Sequence, residues 1–405
     1  MRGNEKRTKT LSIIIGLLCL FILYRLGADA LASIFQRSED PSRAAISAKV
    51  APGNQAGYFS LARIEHYGAN PDSARAIGLY RKALALNPFN SRLWYELALA
   101  YEASGDRKGA LHSIKNAYLL NPMQAENIWD TGVFYMNAAG LDSAAYYFRK
   151  YMQLGLPVER SFDALHSMQI PVEYITEKFL SGNRKVVSEY AGYLARRKKA
   201  DEGVRFWQAA QKDLIGEKEK LRLCNMFLDH GKYEEAWSVW GHMEREPSIL
   251  SDGGFERDSK GACFDWIIKK SEGVQVSRDS GSKTEGSVSL KVAFPDKNVK
   301  IYAVQHVLLR PGAEYVLSAD LKTEGITSTN GVYMEVSGLR CASFRRSSGV
   351  YTGTNAWTRI ELPFHMPSEC RAARISFRRE LSSKFNNRIG GAAWLDNVEL
   401  GEATE

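Results

Sequence analysis

A 34-residue period constrains this chain more than any other feature. Residues 91–122, SRLWYELALAYEASGDRKGALHSIKNAYLLNP, read as two short helices joined by a turn. In the first, Trp94, Leu97, Ala98 and Tyr101 fall at i, i+3, i+4 and i+7, which makes one apolar stripe on a helical period. Gly105 ends that helix. In the second, Ala110, Ile114 and Ala117 share a face, the alanines permit close approach, and Asn121-Pro122 stops the run. One period downstream, Trp94 becomes Ile128, Ala98 becomes Gly132, Tyr101 becomes Tyr135, Ala110 becomes Ala144 and Ile114 becomes Phe148. One period upstream, the second helix repeats as Ala76, Tyr80, Ala83 and Asn87-Pro88, with Tyr67 in place of Tyr101. A helix pair of this size cannot bury its apolar face alone, so consecutive copies must stack into a continuous core.

These residues resemble the tetratricopeptide repeat, whose pattern is W-x2-L-G-x2-Y, then Gly, then A-x3-F-x2-A-x4-P at the same period. The pattern weakens over residues 158–183, where helical signals persist only around 172–180. It returns in Tyr190, Ala191, Leu194, Trp207 and Ala210, and closes with Leu223, Cys224, Phe227, Gly231, Ala236 and Trp240. The expected architecture is an α-solenoid of about five to six helix pairs over residues 28–245. Trp94, Tyr101, Tyr135 and Trp240 are then packing residues. Protein partners would be read by groove-facing residues of the first helices, for which Tyr95, Glu96, Glu102 and Asn127 are the candidates.

Ahead of the repeats, residues 11–24 (LSIIIGLLCLFILY) form an uncharged apolar run behind a basic head. Residues 1–27 hold Arg2, Lys6, Arg7, Lys9 and Arg25 against Glu5, a net +4 and half of the chain's +8. A helix from residue 10 to about 32 reaches roughly 30 Å, the thickness of a bilayer core, if Arg25 snorkels to the interface. We read residues 1–27 as a cytoplasmic basic tail and a transmembrane signal anchor, with membrane contact through residues 10–27. The alternative is a cleaved signal peptide, because Ala28-Asp29-Ala30 has the spacing of a cleavage site. In either case the positive-inside rule places the bulk of the chain outside the cytoplasm, with the inner membrane as the expected location. The remaining charge is spread evenly, which argues against a nucleic-acid surface.

After Pro247 the helical period stops, Gly, Ser and Thr rise, and short alternating runs appear at 288–294, 315–321, 331–336, 357–362, 373–377 and 393–400. Six or more strands in about 150 residues predict a β-sandwich over residues 246–405. The fold class is therefore multidomain α + β, an α-solenoid followed by an all-β sandwich. Five blocks then resemble, in order, the jelly-roll carbohydrate-binding modules of the family 4/9 type. They are Gly253-Gly254-Phe255-Glu256 with Trp266, GSVSLKV at 286–292, LRPGAEYVLSADLKT at 309–323, TGTNAWTRIELPF at 352–364, and AAWLDNVEL at 392–400.

That resemblance implies a structural calcium where the first strand meets the last, with Glu256 and Asp396 as the matching carboxylates. Calcium needs six or more oxygen ligands, and the alternative is that both side chains cap turns. It also implies that Trp266, Trp357 and Trp394, inside the blocks, belong to the core. A pyranose presents apolar C–H patches ringed by hydroxyls, so its binding requires aromatic faces beside hydrogen-bonding groups. Outside the blocks the candidates are Tyr302, Tyr333, Phe344, Tyr351 and Phe385. Arg345, Arg346, Arg378 and Arg379 stand ready for hydroxyls or for the carboxylates of an acidic polymer.

Of the five cysteines, Cys19 lies in the apolar segment and Cys224 on a packed helix face, and both are expected free. Among Cys263, Cys341 and Cys370 one disulfide is expected, Cys341 to Cys370. The seven histidines make no metal-binding spacing, and no serine elbow, activated cysteine or phosphate-binding glycine loop is present. The sequence thus predicts a non-catalytic, membrane-anchored envelope scaffold. Its repeats would hold proteins of a polysaccharide synthesis or export machinery, and its sandwich would bind the glycan. The alternative is a pure assembly scaffold whose sandwich binds no sugar.

Overall fold

A computed structural model describes residues 2–35, 40–155, 158–180, 182–244, 248–341, 344–383, 385 and 387–403, with backbone alone for 2–10, 12, 32, 33 and 35. The chain forms two compact units, Met1–Leu156 and Pro157–Glu405.

The first unit contains α1 (Arg2–Phe35), α2 (Pro41–Val50), α3 (Gln55–Tyr67), α4 (Ser73–Leu86), α5 (Ser91–Ala103), α6 (Arg107–Leu120), α7 (Ala125–Ala139) and α8 (Leu141–Gln153). Within α1, Ile13–Leu31 is long and apolar enough to cross a membrane, with a mean hydropathy of 2.0 and 6% of it buried. The repeat period reappears as burial. Ala76, Ala110 and Ala144 are at most 1% exposed, as are Tyr80, Ile114 and Phe148, each set one period apart on the second helix of its pair. Gly132 has the same cause, since a Cβ there would lie 3.1 Å from the Phe148 ring. The helix starts follow the period as well. Asp72 accepts the Arg75 N–H and Asp106 the Gly109 N–H, each at 2.9 Å, which satisfies an orphan donor of the first turn.

The second unit opens with α9 (Glu159–Ser167), α10 (Val172–Tyr174), α11 (Arg184–Arg196), α12 (Ala200–Ala209), α13 (Glu217–Asp229) and α14 (Tyr233–Met243). α10 runs into a π-helical turn at Ile175–Phe179, within the stretch where the repeat pattern weakens. Strands follow as β1 (Ile267–Lys270), β2 (Gln275–Asp279), β3 (Ser289–Lys297), β4 (Ile301–Leu308), β5 (Glu314–Ile326), β6 (Tyr333–Gly338), β7 (Arg345–Ser347), β8 (Gly353–His365), β9 (Ala372–Arg379) and β10 (Ile389–Glu402). They make two antiparallel five-stranded sheets, β1-β4-β9-β6-β7 and β2-β3-β10-β5-β8. The inner faces bury one core that includes Val292, Ile301, Ala303, Val307, Leu317, Leu321, Met334, Val336, Ile375, Phe377 and Leu395.

The last helix pair of this unit is bound to the sandwich. Cys224 of α13 is disulfide-bonded to Cys263 of the loop before β1, with Cα atoms 5.7 Å apart. Cys224 is therefore not free. Its position on a packed helix face faces the sandwich, a neighbour that helical periodicity does not reveal. Around the bond, Asn225 accepts the Cys263 N–H at 2.8 Å and the Tyr233 hydroxyl donates to the Leu339 carbonyl at 3.0 Å. Phe264 lies 5.0 Å from Trp237 and 6.3 Å from Trp240. A second disulfide joins Cys341 to Cys370, with Cα atoms 5.8 Å apart. Cys19 is the free cysteine among the described residues.

Three histidines give the fold a pH signature. His66, His166 and His306 are held below the ordinary imidazole range, in each case chiefly by burial. At His306 the hydrogen bond to the Cys263 carbonyl and the charge of Asp229 oppose the lowering, while Arg374 and Lys269 add to it. The unfolded chain then takes up protons more readily than the folded one below about pH 6.5, so stability is complete above that pH and declines below it. The melting temperature is expected to hold between about pH 8 and 7 and to fall as pH drops from about 6.5 to 5. A midpoint that stays flat or rises over that acid interval would contradict this.

Candidate functional site

The antiparallel register builds the site on the outward face of the β1-β4-β9-β6-β7 sheet. Side chains alternate along a strand, so β4 buries Ile301, Ala303, Gln305 and Val307 and turns Tyr302, Val304, His306 and Leu308 outward. Tyr302 pairs with Arg378 of β9, and Arg378 pairs with Tyr333 of β6. These three residues therefore form one row across three strands, with the two tyrosines about 10 Å apart at ordinary strand spacing. The adjacent row is Val304, Ser376 and Glu335, and the next is His306, Arg374, Ser337 and Arg345.

Arg378 organises the row. Its guanidinium lies 4.5 Å from the centroid of Tyr302 and 5.9 Å from that of Tyr333, so it packs over both rings. It donates to Glu335 at 2.5 Å and to the Tyr302 hydroxyl at 3.2 Å, and it pairs with Glu380, which also accepts from Tyr302. Glu335 is 2% exposed, and its charge is tolerated because Arg378 and, at 3.7 Å, Arg345 neutralise it. Burial pushes the Tyr333 phenol up, which keeps it a neutral donor. The face therefore offers two aromatic rings, hydroxyl donors and an arginine–glutamate network held in fixed positions. That set matches a polyhydroxylated ring, with apolar surface for its C–H faces and paired donors and acceptors for its hydroxyls.

Of the carbohydrate candidates, Tyr302, Tyr333, Arg378 and Arg345 share this face. Phe344 does not. It is 6% exposed and lies in the sandwich core 5.7 Å from Phe364, so it has no face for a ligand. Tyr351 packs against the same core, with its backbone paired to Val332, and Phe385 stands fully exposed after β9, apart from the row. Arg379 is 0% exposed and is spent on the carbonyls of Val299, Asn330 and Asn387. Trp266 is core. Trp357 is half-buried, because alternation along β8 sends Ile360, Leu362 and Phe364 into the core and Trp357 to the opposite face. Trp394 is buried on the other sheet's outer face, under Lys291 and Lys322. Glu335, Glu380 and Ser376 were not among the candidates, although the alternation Tyr333, Glu335, Ser337 carries the signal for the first.

Glu256 and Asp396 come together around Gly254, whose added Cβ would lie 3.8 Å and 3.9 Å from their oxygens. Asp396 accepts from the Thr284 and Glu285 N–H groups, the Thr284 hydroxyl and the Asn397 N–H. Glu256 accepts the N–H groups of Ser287 and Val288. These lone pairs point at donors, and the donor set is that of two turn caps, which does not fit a six-oxygen calcium site.

In the first unit, Tyr95, Glu96 and Asn127 line a recess of about 450 Å³ with Arg92, Glu126 and Asp130. Glu102 lies outside that lining, exposed near the end of α5. Glu96 and Asn127 are each 8% exposed and carry structural bonds. The Tyr67 hydroxyl donates to Glu96 at 2.8 Å, and Asn127 donates to the carbonyls of Ala117 and Asn121, closing the turn between α6 and α7. Tyr95 and Asp130 remain half-exposed. Burial pushes the Tyr95 phenol up to about 12, with Asp130 adding to it, and burial beside Glu126 raises the Asp130 carboxyl.

Residues 79–111 match the tetratricopeptide repeat. The match runs from the second half of α4 through α5 into the start of α6. Among solved structures, the chain is similar to the Family 16 Carbohydrate Binding Module-2, at 21% identity over 38% of this chain and all of that one, with a TM-score of 0.28. It is similar to TmCBM61, solved in complex with β-1,4-galactotriose, at 19% identity over 39% of this chain and all of that one, with a TM-score of 0.29. The enzymatically active domain of bacteriophage CBA120 tailspike protein 4 is similar at 17% identity, a TM-score of 0.31, and 38% of this chain. This chain spans 21% of that tailspike chain. No curated protein matches the chain.

Proposed function

We propose that this chain is a non-catalytic, membrane-anchored envelope scaffold that holds protein partners on its helical repeats and a glycan on the Tyr302–Arg378–Tyr333 row. Repeats of this kind present extended surfaces to proteins, and a sandwich resembling carbohydrate-binding modules suggests a sugar ligand. The observation that carries the reading is the register of β4, β9 and β6, which sets two tyrosines and an arginine side by side on an outward face. On this reading α1 anchors the protein in the inner membrane, and the remainder works outside the cytoplasm. Two disulfides support that side, since they persist in oxidising compartments. The biological setting is synthesis or export of a surface polysaccharide.

The alternative, an assembly scaffold whose sandwich binds no sugar, draws on the same row: Arg378, Tyr302, Glu335 and Glu380 already satisfy one another. Glycan-array screening of the full chain in detergent separates the two. Retention on at least one polysaccharide is expected. No retention on any would leave the pure scaffold.

A further inference from the structure

The second unit carries a concavity apart from the tyrosine row, at the junction of α14 with the end of the sandwich. It encloses about 400 Å³. Its lining includes Trp237 of α14, Ile249 of the segment leading into the sandwich, Leu308 at the end of β4 and Pro311 of the turn between β4 and β5. Trp237 is half-exposed and Ile249 is 38% exposed, so apolar surface faces the opening. The indole N–H of Trp237 meets no hydrogen-bond acceptor among the described residues.

Two ion pairs lie at the rim. Arg310 donates through Nε to Glu402 at 2.8 Å and through Nη2 to the other oxygen of the same carboxylate, and Tyr315 donates to Glu402 at 2.9 Å. Arg371 donates to Glu234 at 2.8 Å. Two arginines against two glutamates leave the cleft without net charge. A guanidinium has five N–H donors, and these bonds use two of those on Arg310 and one on Arg371. The cleft thus combines an aromatic wall with uncommitted donors beside fixed acceptors and no excess of either sign.

We infer that this cleft is a second binding site, for one or two units of a neutral saccharide. The indole would cover the apolar ring face, and the two ion pairs would exchange hydrogen bonds with hydroxyls. A charged sugar finds no uncompensated partner there. The site needs α14 as well as the sandwich, so it is a property of this chain's arrangement and not of a sandwich alone. The inference goes beyond the reading of the tyrosine row, and either site stands without the other.

The test is calorimetric titration of the full chain in detergent with neutral hexasaccharides of glucose, galactose, mannose and xylose. Oligogalacturonate and an apolar peptide serve as contrasting probes. Trp237→Ala is expected to weaken binding of a neutral hexasaccharide at least tenfold, while Tyr302→Ala/Tyr333→Ala leaves that binding in place. Because Trp237 also touches Phe264, Ile249→Arg is the second variant. It fills the opening from a partly exposed position, and is expected to block the site with the melting temperature unchanged. Binding that is insensitive to Trp237→Ala and Ile249→Arg but lost in the double tyrosine variant overturns the cleft and leaves the row intact. Absence of binding to every neutral hexasaccharide, or displacement by Ile249→Arg of oligogalacturonate or the peptide alone, also overturns it.

Discussion

Replacing both members of the Cys224–Cys263 disulfide with alanine is expected to cost about 4 kcal/mol of stability in the second unit. The bond closes a loop with a sequence separation of 39, and the chain-entropy relation gives that value for a loop of this length. For a unit of this size the loss corresponds to a fall in melting temperature of roughly 10 °C. The structural consequence extends beyond the bond. With it broken, Phe264 is held near Trp237 and Trp240 only by packing, and the Asn225–Cys263 and Tyr233–Leu339 hydrogen bonds are left to hold the junction. Thermal melts of wild type and variant, with and without reductant, read this directly. A variant that melts with the wild type, or a wild type indifferent to reduction, would contradict it.

Arg379→Met is expected to destabilise the sandwich by about 3–5 kcal/mol. The side chain is 0% exposed and has no carboxylate partner among the described residues, and its guanidinium serves main-chain carbonyls of Val299, Asn330 and Asn387 and the side chain of Asn298. Burial lowers its pKa, yet an arginine remains charged, so its positive charge is balanced by carbonyl dipoles. Methionine fills similar volume but strands the buried Val299 carbonyl and the partly buried carbonyls of Asn330 and Asn387, and an unpaired buried acceptor costs about 1–3 kcal/mol. Arg379 also ties the segment before β4 to the segments that lead into β6 and β10, which is why one substitution acts on several loops. Urea denaturation giving a loss under about 1 kcal/mol would show that water replaces those bonds.

The contrast between Arg378 and Arg379 shows where the sequence is informative and where it stops. Both look alike as letters in a strand, but the period of two sends Arg378 outward onto the tyrosines and Arg379 inward among carbonyls. Only the register decides which. The repeats are legible because one period writes the same packing three times, and Ala76, Ala110 and Ala144 are buried for one reason. Six strands are legible from alternation. β4 hides because Gln305 sits at a core position, where it bonds Ser251, and because His306 faces outward beside it. β1, β2 and β7 hide because they are short and mostly exposed.

Cys224 was misread for a related reason. Helical period places a residue on a packed face and cannot name what packs there. Asn127 and Glu96 sit in the expected groove of the repeats, but their side chains close a turn and accept a tyrosine hydroxyl, roles set by neighbours outside their own helix. The candidate row itself was half visible. Tyr302, Tyr333 and Arg378 could be named by residue type, whereas their meeting on one face depends on two strand registers that no local pattern encodes.

Affinity electrophoresis of the full chain against any polysaccharide that the array identifies tests whether this row binds a glycan. The wild type should be retarded, and Tyr302→Ala/Tyr333→Ala should run with the unretarded control while keeping its melting temperature. Equal retardation of the wild type and the folded double variant would contradict the assignment of the glycan to this face.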